Sequence, residues 1–202
     1  APPRAAPRLL GSDLMTGRGE GVDQVKLMIL DAKKAHLHAA AARELYIQLP
    51  PEAGGGFARL RRALYGARDA PALWEAFAAK QLQNLGFRRG QSSACVFAHT
   101  VRAIRCILHG DDFVFIGTAS RLQWVRRELE KVAIMKLAGI LGTGIGDLTE
   151  LRVLNRVIRL TREGVQYEAG PRHGDTISAT PSPEPTAAGP SSSRSRPPAP
   201  TR

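Results

Sequence analysis

Apolar residues recur along the chain in two patterns, short dense runs and helical stripes. Leu27-Met28-Ile29-Leu30 is a continuous apolar run that ends at Asp31. Ile104-Arg105-Cys106-Ile107-Leu108 and Phe113-Val114-Phe115-Ile116-Gly117 flank His109-Gly110-Asp111-Asp112. Runs this short, rich in β-branched and aromatic residues, predict strands over about 25–30, 104–108 and 113–116, the last two as a hairpin with its acids at the tip. Cys95-Val96-Phe97 begins another strand, and 151–160 predicts a further one that closes at a turn over Arg162-Glu163-Gly164. Leu73, Trp74, Phe77, Leu82 and Leu85 repeat near helical spacing, which predicts a helix over about 70–85 with Pro71 in the first turn and Gly86 as its stop. A second helix is predicted over about 120–132. Leu122, Val125, Leu129 and Val132 form its buried stripe, and Ser120 with Gln123 a capping box.

The order strand, helix, hairpin, helix, strand predicts an α+β fold. It is a split β-α-β arrangement with an antiparallel sheet and helices on one face. In that layout the end of the first strand and the tip of the hairpin are neighbours, so Asp31 and Asp111 converge although they lie far apart in sequence.

Three carboxylates brought together in this way need a counter-charge. An acid at the end of a buried strand costs desolvation unless it is paired or metal-bound, and adjacent acids repel. A divalent cation is the simplest partner, because hard ions take one or two carboxylates and leave room for phosphates. The plain alternative is a solvated Asp-Asp turn, since aspartate favours turns in any case. Trp74, on the helical stripe, reads as a core residue. His36, His38 and His109 match no zinc spacing. Gly142-Thr143-Gly144-Ile145-Gly146 lacks the strand before and helix after that a phosphate loop requires, so it reads as a connector.

With 202 residues and 43% hydrophobic composition, the chain is long enough to bury a true core. The formal net charge is +11, which favours nucleic acid through counterion release. Cys95 and Cys106 both fall on predicted strands and read as packing residues. No secretory signal or membrane-length apolar run is present in the sequence, so an intracellular setting, cytoplasm or nucleus, is expected. From Gly170 the composition shifts to Pro, Ser and Arg with no apolar periodicity, which predicts disorder.

The ordered set of motifs resembles the reverse transcriptase of copia-type LTR retrotransposons. The motifs are Asp31-Ala32-Lys33-Lys34-Ala35-His36-Leu37-His38, Tyr46-Ile47-Gln48-Leu49-Pro50-Pro51, the block Leu64-Tyr65-Gly66 with Ala70-Pro71 and Trp74, then Leu85-Gly86-Phe87, Cys95-Val96-Phe97 and Asp111-Asp112. The resemblance spans about 22–165 and implies a polymerase palm. It implies that Asp31, Asp111 and Asp112 are catalytic and hold two Mg²⁺ ions roughly 4 Å apart, with Mn²⁺ as a substitute. It also implies that His36, Tyr65, Gly66 and Arg68 contact substrate, and that the partners are an RNA template, a DNA primer, a dNTP and the rest of a Pol polyprotein.

Some positions depart from the family pattern. His36 stands where the family carries an aromatic ring beneath the sugar of the incoming nucleotide. His109-Gly110 replaces Tyr-Val, and Asn155 replaces a glycine in the segment that grips the primer end. The expected organisation is a residual fingers segment over 1–21, the palm-like domain over 22–165 and a disordered Pro/Ser/Arg tail over 166–202. Without recognisable fingers, thumb or RNase H, a truncated fragment of weak or no activity on its own is expected. The rival reading is a non-catalytic, basic nucleic-acid-binding remnant with a ferredoxin or RNA-recognition-type fold. That reading calls for exposed aromatics on the central strands; Phe113 and Phe115 alternate with Val114, but they follow two acids, which would repel phosphate.

Overall fold

The computed structural model describes residues 24–169 except Asn155 and Arg162. All of these belong to the unit Ala1–Gly170. The reading of Asn155, and that of the tail beyond 169, lie outside the described residues.

The fold is α+β, as the pattern predicts. Strands β1 (Val25–Ala32), β4 (Arg88–Arg89), β5 (Val96–His99), β6 (Ile104–His109), β7 (Asp112–Thr118) and β8 (Met135–Leu141) form one sheet. Its order is β4-β5-β6-β7-β1-β8, and every pairing is antiparallel. A short hairpin of β2 (Tyr46–Gln48) and β3 (Phe57–Arg59) stands apart from it. Helices α1 (Ala70–Asn84) and α2 (Ala119–Glu130) pack on one face. Their buried residues Trp74, Ala78, Leu82, Leu122, Val125 and Leu129 share a core with Met28, Leu30, Phe97, Cys106, Phe113 and Phe115.

The opposite face is covered as well. Strands β9 (Glu150–Val153), β10 (Arg156–Leu160) and β11 (Val165–Ala169) form a three-stranded antiparallel sheet. Its Leu151, Val153 and Ile158 pack against Leu27, Ile29, Val114, Ile116 and Leu141. Burial on both faces explains why Leu27–Leu30 and Phe113–Ile116 are continuous apolar runs rather than alternating ones. Phe113 and Phe115 are 2% and 0% exposed and stack in parallel inside the helical core, centroids 6.0 Å apart. They offer no platform for bases, so the RNA-recognition-type reading fails on this point.

Several local expectations need correction. The single strand expected over 151–160 is two strands, β9 and β10, reversed at Leu154, whose φ of 49° is left-handed. Strand β11 runs past the boundary expected at 165. The cap of α2 is Thr118 without a side-chain capping bond, in place of the Ser120 box, and Val132 lies beyond the helix with 43% exposure. Helix α1 ends as expected. Gly86 has φ 93°, its N–H bonds to the Gln83 carbonyl and that of Phe87 to the Leu82 carbonyl, the Schellman pattern.

Candidate active site

Strand β1 places Asp31 directly opposite Asp112 in the β1–β7 register, on the face away from the helices. Strands β6 and β7 are joined at the His109–Asp112 pair, so the turn itself is Gly110-Asp111 and Asp112 already belongs to the strand. Only one acid therefore sits at the tip, not two. Gly110 has φ 59°, the glycine-first pattern favoured in two-residue hairpins. A Cβ at Gly110 would meet no atom within 4 Å, so the need for glycine is conformational and not steric. Gly110→Ala is expected to cost about 1–2 kcal/mol, read from the denaturation midpoint. An unchanged midpoint would contradict the positive-φ requirement.

The structure brings Asp31, Asp111 and Asp112 together. One carboxylate oxygen from each lies within 4.8 Å of the others. The Ala32 N–H donates to the Asp111 carbonyl at 2.9 Å and ties the strand end to the turn. Lys33 Nζ pairs with Asp31 Oδ2 at 2.6 Å, and this hydrogen bond raises the lysine pKa. Lys33, two residues after Asp31, is a neighbour that the sequence reading missed.

Burial, and then the charges of Asp111 and Asp31, hold the Asp112 carboxyl above its ordinary value of 3.8, with His109 acting in the opposite direction. Lys33 pairs with Asp31 and Lys136 stands opposite Asp31 in the β1–β8 register, so three acids still exceed the nearby ammonium groups, and an all-oxygen donor set suits a hard divalent cation. The residues present thus fit Mg²⁺ or Mn²⁺. The sign of the pH dependence follows. The folded chain binds the Asp112 proton more tightly than the unfolded one, so this stability is present below 3.8 and lost as pH rises through the raised folded value. Thermal melts between about pH 3 and 7 should show a decline that Asp112→Asn flattens and Mg²⁺ reverses. A decline of equal slope in the variant would contradict this assignment.

A cleft of about 720 Å³ opens beside the triad, lined by His36, Tyr65, Trp74, Cys95, His109 and Asp111 among others. His36 leans on Tyr65, ring centroids 4.2 Å apart, and its buried Nδ1 has no hydrogen-bond partner among the described residues. Of the four expected substrate contacts, His36 and Tyr65 line the cleft, whereas Gly66 and Arg68 do not. Both cysteines are free, Cys106 buried and Cys95 at the cleft. Trp74 is core, as its spacing predicts, but it also reaches the acidic turn, since its Nε1–H donates to the Gly110 carbonyl at 2.7 Å.

Residues 20–150 match the family model Reverse transcriptase (RNA-dependent DNA polymerase). The chain belongs to this family. Membership makes nucleic acid its class of substrate, and it places the acid cluster and the cleft inside a reverse-transcriptase domain. No curated protein matches the chain. Among the described residues no helix is long and apolar enough to cross a membrane.

Proposed function

We propose that the chain is the palm of an RNA-directed DNA polymerase of the copia type, performing nucleotidyl transfer at Asp31, Asp111 and Asp112. The observation that supports this best is the convergence of the three carboxylates, from a strand end and a distant hairpin, beside a cleft large enough for a nucleotide. Asp31, Asp111 and Asp112 would hold two Mg²⁺ ions. When bound, these ions supply Lewis acidity for the primer 3′-hydroxyl and charge neutralisation for the leaving pyrophosphate.

The chain's own residues do the positioning. The β1–β7 register fixes the spacing of Asp31 and Asp112, and Lys33 offsets one of the negative charges. His36, backed by Tyr65, lines the cleft, where an imidazole in place of a larger ring leaves more room at the sugar. Template, primer and dNTP are the partners, with the rest of a Pol polyprotein in an intracellular setting.

The test is primer extension on an RNA template. Product from the chain alone is expected to be sparse, to need Mg²⁺ or Mn²⁺, and to disappear on chelation. Product that persists without divalent ions would overturn the proposal. Salt-sensitive binding of RNA–DNA duplex, with no product under any condition, would assign the chain to a non-catalytic remnant.

A further inference from the structure

The geometry of the acidic turn is not fixed by the turn's own sequence. Gly110 is the most permissive residue the backbone can carry, and nothing crowds the side of its Cα where a Cβ would stand. A glycine-containing two-residue turn can rotate its peptide planes, and each rotation would re-aim the Asp111 carboxylate. Two hydrogen bonds prevent this. The carbonyl after the Asp111 Cα accepts from the Ala32 N–H at 2.9 Å. The carbonyl before it, that of Gly110, accepts from the Trp74 indole at 2.7 Å. Because each peptide unit is planar, clamping the carbonyls on both sides of the Asp111 Cα fixes the direction in which its side chain leaves.

The first clamp is backbone and available to any sequence that forms this sheet. The second depends on one side chain. Trp74 is 3% exposed and held from two directions: Phe113 meets it edge-on at 6.2 Å, and Phe77 stacks on it at 5.8 Å. Its ring is therefore anchored to the helix and to strand β7, while its single polar atom points at the turn. Packing alone asks nothing of the indole N–H, and phenylalanine, a smaller ring without a donor, is the nearest aromatic residue that removes it.

We propose that Trp74 is a positioning residue. Its indole N–H holds the Gly110 carbonyl and so aims Asp111 at the ion site shared with Asp31 and Asp112. This rests on the metal-site reading given under Proposed function.

The experiment compares the full chain with Trp74→Phe, Ala79→Gly and Asp111→Asn. Mn²⁺ affinity is measured by titration, alongside the thermal midpoint and the indole ¹⁵N–¹H resonances. Ala79, buried on the same helix, is the control, because glycine there loosens α1 without touching the turn. Trp74→Phe is expected to weaken Mn²⁺ binding about tenfold, the scale of one lost buried hydrogen bond. Ala79→Gly is expected to lose stability and keep wild-type affinity. In the parent chain the Trp74 indole resonance is expected to shift on Mg²⁺ saturation, while that of Trp124 stays. Equal affinity losses in Trp74→Phe and Ala79→Gly would show a merely structural role and overturn the proposal, as would full affinity in Trp74→Phe. If the parent chain and Asp111→Asn bind Mn²⁺ equally, the metal-site reading itself falls, and that outcome is distinct from a failure of Trp74 alone.

Discussion

Replacing Asp111 with alanine is expected to reduce templated primer extension by about a hundredfold or more while leaving the thermal midpoint unchanged. The two halves of this expectation have separate causes. Asp111 is exposed at the turn and is one of the three carboxylates. Without it, Asp31, already paired with Lys33, and half-buried Asp112 are left with too little charge and too few oxygens for two divalent ions. The fold does not need that carboxylate. The positive φ of the turn belongs to Gly110, and the bond from the Ala32 N–H goes to the Asp111 backbone, which alanine retains. Steady-state incorporation and a thermal melt on the same preparation check both halves. Activity within a few-fold of the parent, or loss in step with the midpoint, would contradict the role given to Asp111.

Asp147→Ala is expected to produce the largest loss of stability, about 3 kcal/mol or more. Asp147 caps the glycine-rich loop over 142–147 and its side chain is 8% exposed. It pairs with Lys26 of β1, itself 16% exposed, and accepts the Gly144 N–H at 2.7 Å. Alanine would leave an enclosed ammonium and an unmet N–H together. Removing both charges, in Lys26→Met with Asp147→Ala, avoids the stranded cation and is expected to recover most of the loss. Denaturant unfolding of the single and double variants distinguishes the cases. A double variant as unstable as the single one would show that the pair is not what holds the loop.

The parts of the molecule that were legible in the sequence are those whose physics is local. Asp31 at the end of an apolar run, a reversal somewhere between Leu108 and Phe113 and the Gly86 stop each announce themselves within a few residues, whereas the turn's exact residues, Gly110 and Asp111, did not. Strand β8 was not legible. Its exposure alternates from Met135 to Gly139, but the sequence there, Met135-Lys136-Leu137-Ala138-Gly139, has no β-branched residue, and Gly139 in its middle discourages a strand reading. The glycine is there because a Cβ would stand 2.8 Å from the side chains of Leu148 and Leu151, so its cause is the close approach of β9. The glycines at 142 and 144 likewise make room for Asp147, which explains a motif that superficially resembles a phosphate loop. The three-stranded sheet was half legible. Residues 151–160 carry enough apolar character for one long strand, but the reversal falls on Leu154, a residue that seldom turns. At the site, the carboxylates were legible by type and order. The reach of Trp74 from α1 to the hairpin was not, because helical spacing identifies a buried ring without showing where its N–H points.

The most direct test of the central claim is the number of Mn²⁺ ions that the metal-free chain binds, counted by titration against the Asp31→Asn/Asp111→Asn double variant. The expected result is saturation at two ions in the parent and loss of both in the variant, with the fold intact by circular dichroism. Binding of equal strength and number in the two proteins would contradict the claim that these carboxylates form a metal centre.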